Sequence, residues 1–466
     1  MKGLKKVLCT AMALMLVTVS FSGCGEKATD KDENGKTIVS VGEWPTKEGV
    51  LLDNRNELKA QFEKDNPDVT IVPDEWTYDI QTFYPKASAG KLPTVYKVYF
   101  TEVSKIIDGG YSADLTDILK EKGYMDYLNP KVLDVISKDG KVYGIPFATY
   151  ILGLGCNIEL FEKAGLMEAD GTPKQPKDWY ELADFAVKIK EATGKPGFVL
   201  PTSSNNGGWI FTPIAWSFGV KFMEQDSDGK WQATFDSDEM REAVQFVKDL
   251  KWKYNVLPNN NLIDNSEYYK QFATGNAGMI ITNDLGKQCY QYDMSPDKIG
   301  MMAFPEGPKR HVSLLGGGMY CIANNSTKDQ VDAAFRWIEA DGNSMYVQEG
   351  QRERSEKLYQ DKVDRGEMVG TQSLSRWTAE AETEKLNNEI AAKFTNVNPN
   401  HYRLYNEFLN SDVEIQAEEP VCAQDLYGIL DNIIQEVLQN KDADVAKLVN
   451  DANNDFQQNF LNLITY

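Results

Sequence analysis

Short apolar segments alternate with amphipathic segments along the early part of the chain, and this alternation restricts the folds open to it. KTIVSVGEW at 36–44 reads as a strand, LLDNRNELKAQFEKDNP at 51–67 as a helix, and DVTIVPDEW at 68–76 as a second strand. A helix over 80–89 and the strand TVYKVYF at 94–100 follow. The order predicts parallel βαβ units in an open sheet. Ligands of such sheets bind beyond the carboxyl ends of the strands.

A second alternating series begins with the long apolar segment at 141–166 and indicates a second lobe. The segment PKDWYELADFAVKIKEATGKPG at 176–197 predicts a helix with a capping box at Asp178 and Glu181, closed by Gly194. Further strands and helices follow it, and the part after residue 350 is charged and then helical to the end. The length suits two lobes better than one core.

The amino terminus has the pattern of an export signal followed by a tether. Lysines precede an apolar run that ends at Cys24, which is the charge–apolar–small order of a secretory signal peptide over residues 1–23. The stretch FSGC resembles the bacterial lipobox, in which the cysteine is diacylated, and two acyl chains hold a protein on a membrane. Residues 24–36 are polar and predict a flexible tether. A cut after Gly23 with Cys24 as an ordinary residue is the alternative.

Composition excludes several partners. The chain carries 70 acidic against 49 basic residues, a formal net charge of −21, so it repels phosphate backbones and nucleic acid is a poor partner. Two histidines leave little for a histidine-rich metal site, and we expect no metal and no cofactor. The sequence does not settle whether the cysteines pair, although two lie in apolar runs that favour buried free thiols. The four cysteines concerned are Cys156, Cys289, Cys321 and Cys422.

Aromatic residues are abundant, with nine tryptophans and 22 tyrosines. Trp179, Trp252 and Trp337 fall within helical patterns and are interpreted as core. Three other tryptophans lie in loops rich in glycine, asparagine or proline; these are Trp44, Trp76 and Trp209.

The order of the segments resembles the substrate-binding lipoproteins of bacterial ABC sugar importers, the family 1 extracellular solute-binding proteins. LKAQFEKDNPDVTI, GKLPTVYKVYF, PKDWYELADFAVKIK and FATGNAGMIITND are similar to blocks of that family, in the same order. The strongest match is DGKVYGIPFATYILGLGCNIELFEKAGL, which resembles the family's crossing between lobes. The resemblance implies two α/β lobes in a periplasmic-binding-protein-like fold with the ligand cleft between them. It places 37–147 plus 305–345 in lobe 1 and 148–304 plus 346–466 in lobe 2.

The resemblance implies a carbohydrate ligand. Aromatic rings cover the CH faces of a sugar, and carboxylates and amides bind its hydroxyls. We therefore select residues of these types near strand ends and crossings, and one glycine that would bring bare backbone to the cleft. The candidates are Glu43, Trp44, Trp76, Tyr150, Trp209, Asn283, Asp284, Gly317 and Trp377.

Each candidate also has a purely structural interpretation. A loop tryptophan can cover its own lobe, Asp284 can cap the helix after it, and Gly317 with its neighbouring glycines can serve tight packing. Trp377 lies in a segment that looks helical.

The sequence analysis thus predicts a non-enzymatic, monomeric binding protein. It would be anchored by lipid to the extracellular face of the cell membrane, would bind an oligosaccharide, and would deliver it to the permease subunits of an ABC importer. The identity of the sugar stays open. A secreted glycosidase would also carry aromatic and acidic residues. It needs a pair of closely spaced carboxylates, and such pairs are expected by chance in a chain with 70 acidic residues. A cell-surface adhesin is the other alternative, although adhesins favour repeats or β-sandwiches.

Overall fold

The structure is a computed structural model, and it describes residues 30–464, apart from the side chains of Gln288 and Cys289. The predicted signal peptide and the lipidation site Cys24 lie outside the described residues. The strands are β1 (Thr37–Val41), β2 (Val69–Pro73), β3 (Val95–Tyr99), β4 (Ser137–Lys138), β5 (Lys141–Val142), β6 (Ile145–Ile151), β7 (Gly153–Asn157), β8 (Met223–Gln225), β9 (Trp231–Ala233), β10 (Met279–Thr282), β11 (Ile299–Met302), β12 (Val312–Ile322) and β13 (Glu414–Ala417).

The α-helices surround two separate sheets. They are α1 (Val50–Asp65), α2 (Ile80–Ser88), α3 (Val103–Asp108), α4 (Thr116–Glu121), α5 (Pro130–Leu133), α6 (Ile158–Lys163), α7 (Trp179–Thr193), α8 (Asn206–Phe218), α9 (Asp238–Trp252), α10 (Asn265–Ala273), α11 (Gly286–Gln291), α12 (Lys328–Ile338), α13 (Gln351–Asp364), α14 (Glu382–Phe394), α15 (Arg403–Leu409), α16 (Ala423–Gln439) and α17 (Val445–Asn459). Among the described residues, none of these helices has the length and apolar character that a membrane crossing requires.

The first sheet contains the parallel βαβ units that the sequence predicts. Strand β1 lies between β2 and β3 and is parallel to both. Strand β12 joins the sheet antiparallel to β3, and β6 pairs antiparallel with β12. Strand β13 pairs parallel with the amino-terminal half of β12. The sequence analysis did not foresee β13, because four residues within a largely helical region give a weak strand pattern.

The second sheet is antiparallel, unlike the first. Strand β7 lies between β10 and β11, and both neighbours run opposite to it. Strands β10 and β11 are therefore parallel to each other and are joined by a crossover that contains α11. The predicted βαβ connection is present here, but β7 occupies the position between its two strands.

The described part of the predicted tether is attached to the first sheet. The Lys31 ammonium lies 2.8 Å from the Asp329 carboxylate, and the Thr70 hydroxyl donates to Asp32 at 2.8 Å. Lys31 also forms a β-bridge with Thr37. Within the predicted tether 24–36, Lys31 and Asp32 therefore have partners on the lobe.

Several local predictions are confirmed. Trp179 and Trp337 are fully buried, whereas Trp252 is half-buried and its indole N–H donates to the Val437 carbonyl at 2.8 Å. Asp178 caps α7 by accepting from the backbone N–H of Glu181, and Gly194 ends that helix in the left-handed conformation. The predicted capping box is only half formed, because the Glu181 carboxylate accepts from the backbone N–H of Lys177 at 2.9 Å.

The cysteines whose side chains the structure describes after residue 30 are unpaired. Cys156 and Cys321 are buried free thiols, as predicted, and Cys422 is a half-buried free thiol. Burial raises the pKa of both Cys156 and Cys321, so these two thiols stay protonated at neutral pH.

Gly317 lies where β12 and β6 cross, and its backbone leaves no space for a side chain. Its φ is +139°, and a Cβ atom placed there would lie 2.1 Å from the Ala148 carbonyl oxygen. The next residue, Gly318, packs against the Phe147 ring in the same way. The glycines are therefore explained by close strand packing, and the prediction that Gly317 contacts ligand gains no support from its position.

We expect Gly317→Ala to lower the unfolding free energy by roughly 3 kcal/mol, since both the backbone conformation and the contact with Ala148 become unfavourable. Urea denaturation measures this loss. Gly165→Ala is the matched control, because Gly165 has a φ of +68° with no atom within 4 Å of a Cβ; it should cost about 1 kcal/mol. Equal losses in the two variants would contradict the packing explanation.

Candidate functional site

A gap in the first sheet marks the cleft between the lobes. Strand β3 ends with Tyr99 paired to Gly318, and β13 ends with Ala417 paired to Leu315, both on β12. Since Leu315 and Gly318 each have a β6 partner as well, β3 and β13 share the opposite edge of β12. The carboxyl ends of β3 and β13 therefore point at each other along this edge, and residues 316–317 of β12 separate them. We call this feature the strand gap.

A buried glutamate follows the first of these two strand ends. Glu102 lies in the short 3-10 turn after β3 and is only 8% exposed. The Tyr78 hydroxyl donates to its carboxylate at 2.7 Å, and the Lys105 ammonium lies 3.4 Å away. Two partners from one lobe thus hold this carboxylate at the strand gap.

A second glutamate follows the other strand end. Glu418 comes directly after β13, and the Tyr427 hydroxyl donates to it at 2.9 Å. Burial raises the pKa of Glu418 to about 7, while hydrogen bonds from Tyr427 and Trp209 act in the opposite direction and the charge of Glu102 adds to the rise. The two carboxyl groups therefore interact across the strand gap, and Glu418 is close to half protonated at neutral pH.

The start of α16 completes the charged part of the gap. Burial raises the pKa of Asp425, the nearby Lys105 ammonium lowers it, and Glu102 raises it slightly. Cys422, the residue before α16, interacts with the same three charged groups. The amino terminus of α16 therefore faces α3 of the first lobe.

A polar cavity of about 400 Å3 adjoins this region on the side of the second lobe. Tyr150 of β6, Asn283 and Asp284 after β10, and the loop 371–373 line it. Burial raises the pKa of the Tyr150 phenol, and Glu418 adds to that rise, so the phenol remains a hydrogen-bond donor at neutral pH. The cavity thus presents the phenol ring of Tyr150, an amide and a carboxylate together. Three further charged residues also line it, Lys287, Lys362 and Glu367.

Four of the predicted site residues lie at the polar cavity or the strand gap, and one of them, Trp209, lies in helix α8 and not in a loop as predicted. Tyr150, Asn283 and Asp284 line the polar cavity, and Trp209 is hydrogen-bonded to Glu418. The carboxylate of Asp284 also accepts from the backbone N–H of Gly286 at 3.0 Å, so it caps α11 as well as lining the cavity. Glu43 follows β1 and forms an ion pair of 3.5 Å with Lys97 of β3.

The positions of Trp44 and Trp76 do not support the prediction that they contact ligand. Trp44 is 5% exposed and stacks on Trp337 at 6.0 Å between ring centres, so its ring belongs to the core of the first lobe. Trp76 is half-buried and packs against Tyr96 of its own lobe at 6.3 Å. Both rings therefore fit the interpretation in which a loop tryptophan covers its own lobe.

Trp377 is 3% exposed and its ring lies edge-on to Tyr124 at 5.5 Å. It is not helical, because Trp377 itself forms an isolated antiparallel β-bridge with Leu128. The residue also lines a second, larger groove of about 1000 Å3 beside β6.

The sequence analysis missed the residues that form the strand gap. Glu102 and Glu418 were two acids among 70, and nothing in their local sequence separates them from the others. The signal that could have found Glu418 is the alternating segment VEIQA before it, which is β13. No group of three or more histidine, cysteine, aspartate or glutamate residues within 30–464 is arranged to hold a metal ion.

Comparison with known proteins identifies the relatives of this chain. The model of a family described as bacterial extracellular solute-binding protein matches residues 51–343. A putative binding protein of Brucella abortus (strain 2308) is 26% identical over 287 residues, which cover 59% of this chain and 64% of that protein. The match therefore spans less than two thirds of that relative's length.

Solved structures share the architecture. The cyclic alpha-maltosyl-1,6-maltose binding protein of Arthrobacter globiformis superposes with a TM-score of 0.59 at 21% identity, covering 90% of this chain and 98% of that one. UgpB of Mycobacterium tuberculosis, in complex with glycerophosphocholine, gives 0.62 at 17% identity, covering 91% and 98%. At these identities the likeness shows the fold, and it confirms the predicted two-lobed α/β class.

The raised pKa of Glu418 predicts a pH-dependent stability. The folded chain holds this proton more tightly than the unfolded chain, whose glutamate pKa is about 4.3, so the unfolding free energy falls as the pH rises from about 4.3 through 7. Glu418→Gln removes that contribution. Between pH 5 and 8 the unfolding free energy of wild type should therefore fall by about 1–2 kcal/mol more than that of the variant. Urea denaturation across this range measures the difference.

Glu407→Gln, which changes an exposed glutamate of α15, is the control and should follow wild type at every pH. The explanation is wrong if the pH profiles of wild type and Glu418→Gln run parallel.

Proposed function

Because the chain belongs to the family of bacterial extracellular solute-binding proteins, we propose that it captures a neutral oligosaccharide in the cleft between its lobes and delivers it to an ABC importer. The observation that supports this best is the lining of the polar cavity. Tyr150, Asn283 and Asp284 there combine a ring with groups that donate to and accept from hydroxyls. The cyclic alpha-maltosyl-1,6-maltose binding protein, which has this fold, takes a ligand of that class.

The strand gap supports the choice of a neutral ligand. Glu102, Glu418 and Asp425 meet there, with Lys105 as the nearby cation. Carboxylates accept hydrogen bonds from sugar hydroxyls and repel phosphates. This disfavours a glycerol phosphate ligand, although UgpB of Mycobacterium tuberculosis, also of this fold, is solved with glycerophosphocholine.

Binding couples to closure in this proposal. Strands β6 and β12 pass between the lobes, while Glu102 lies on one side of the strand gap and Glu418 on the other. A ligand that contacts both sides favours the closed arrangement, since only that arrangement offers both half-sites. The closed protein is then the form that a permease recognises, and the ligand leaves chemically unchanged.

A glycosidase is the second candidate, and one observation favours it. Two carboxyl groups interact across the gap and the pKa of one is raised to about 7, which is the state of a general acid in sugar hydrolysis. Chromatography of the ligand after incubation with the protein separates the two functions. A binding protein returns the ligand intact, whereas a glycosidase yields shorter products.

We expect a thermal-shift panel of neutral oligosaccharides, uronic oligosaccharides, glycerol 3-phosphate and glycerophosphocholine to show selective stabilisation by a neutral oligosaccharide. Trp209→Ala should weaken binding of that ligand roughly ten- to hundredfold, since one stacking ring contributes about 1 to 3 kcal/mol. Trp231→Ala, which changes a half-buried tryptophan of β9, is the matched control and should bind like wild type. Stabilisation by the phosphate compounds alone would contradict the proposal, as would undiminished binding by Trp209→Ala.

The membrane anchor is a separate part of the proposal. Cys24 follows an apolar run and precedes a polar segment, and the surroundings resemble a lipobox. We propose that Cys24 is diacylated, because two acyl chains suffice to hold a protein at a membrane. The cleft would then work at the outer face of the membrane, close to the permease.

Cys24→Ala should move the protein from the membrane fraction to the soluble fraction of expressing cells, since the acyl chains would have no attachment point. Intact-mass analysis of detergent-extracted wild type should show residues 24–466 plus lipid. Cys9→Ala, which changes a cysteine inside the signal segment, is the control and should remain in the membrane fraction. Wild type and Cys24→Ala in the same soluble fraction would contradict the anchor.

A further inference from the structure

A groove of about 1000 Å3 lies on the edge of β6 that does not pair with β12. Residues 147–149 of β6, the loop 370–379, helix α14 and the segment 397–410 line it. The Thr149 hydroxyl donates to the Leu374 carbonyl at 2.6 Å and attaches the loop to β6. We call this feature the hinge groove, because β6 is one of the two strands that pass between the lobes.

The lining of the hinge groove is almost free of formal charge. Of its 28 residues only Arg376 and Glu384 are charged, although charged residues make up 26% of the chain. Six are amides and four carry aromatic rings, and most of the others are small, hydroxyl-bearing or aliphatic. The amides are Asn129, Gln372, Asn387, Asn388, Asn406 and Asn410. Amides and hydroxyls together with rings are the groups that bind a neutral sugar.

The two charged residues both interact with neighbouring groups of the protein. The Arg376 guanidinium donates to the Phe147 carbonyl at 2.5 Å, to the Asn343 amide oxygen at 2.9 Å and to the Gly342 carbonyl at 3.1 Å. Burial raises the pKa of Glu384, which favours its neutral form. The hinge groove therefore offers no uncommitted cation for an anionic ligand.

Six buried side-chain polar atoms lack a partner within the described residues, and three of them belong to residues that line the groove. These three are the indole nitrogen of Trp377, the hydroxyl oxygen of Thr378 and the amide oxygen of Asn406. A buried polar group without a partner costs about 1–3 kcal/mol, so a groove that gathers three of them is suited to a ligand rich in hydroxyls. Trp377 is 3% exposed, and its indole N–H is the one donor-only group among the three.

The hinge groove and the polar cavity are neighbours that share a wall. Thr149, Thr371, Gln372 and Ser373 line both. We propose that the hinge groove holds the terminal units of the oligosaccharide whose other units occupy the polar cavity, so that the protein selects longer chains over disaccharides. The inference rests on the proposed function and adds the chain length of the ligand to it.

The test uses the neutral oligosaccharide series that stabilises the mature protein most, from disaccharide to hexasaccharide, with affinities measured by calorimetry. The variant is Asn387→Ala with Asn388→Ala on α14, where alanine has the higher helix propensity and the fold is retained. It should bind the hexasaccharide about tenfold more weakly and the disaccharide within about twofold of wild type. Asn454→Ala, an exposed asparagine of α17, is the matched control and should change neither affinity.

The outcomes separate the two claims. The chain-length inference is wrong if wild type binds disaccharide and hexasaccharide equally. It is also wrong if the affinity of the variant falls by the same factor for every chain length. Either result leaves the proposed function standing. If no neutral oligosaccharide binds at all, both are wrong. A second double variant, Thr378→Val with Asn406→Leu, removes two of the unpartnered polar atoms; raised thermal stability without ligand, together with weaker binding of the hexasaccharide alone, would support the inference.

Discussion

The close crossing of β6 and β12 is the contact on which the two-lobed arrangement depends. Both strands pass between the lobes, and they approach so closely at Gly317 that a single methyl group would meet the Ala148 carbonyl. Because β3 and β13 share the other edge of β12, the position of this one strand also decides where the strand gap opens. The hinge, the gap and the hinge groove are therefore consequences of how one strand is paired on its two edges.

The strand gap brings two buried carboxyl groups close enough to interact. Glu102 and Glu418 oppose each other, and burial together with this repulsion keeps Glu418 close to half protonated at neutral pH. Tyr78 and Lys105 stabilise the first carboxylate, and Tyr427 stabilises the second. Two such carboxyl groups destabilise the protein when nothing lies between them, and hydrogen bonds from hydroxyl groups would stabilise them. The arrangement thus gives up some stability of the free protein for preorganised acceptors.

The sequence predicts elements better than it predicts contacts between distant elements. The parallel strands of the first sheet and the cap at Asp178 follow from local patterns, because periodicity and capping act over a few residues. Tyr150 lines the polar cavity and could be selected from the sequence for a similar reason, since it lies on the apolar crossing itself. The burial of Trp44 against Trp337, almost three hundred residues away, leaves no trace in its own loop. The opposition of Glu102 to Glu418 was invisible for the same reason.

Strand β13 has a consequence for the order in which the molecule can form. It begins at residue 414, yet it pairs with β12 and fixes one side of the gap, and α16 after it packs against both α8 and α9. Contacts between segments this far apart in the chain slow folding, because the loop between them must close first. A nascent chain that emerges from the ribosome can form β1 and β2 early, but β12 has its final set of neighbours only after residue 417 has been made. The strand gap therefore forms late relative to the strands at the amino-terminal side of the same sheet.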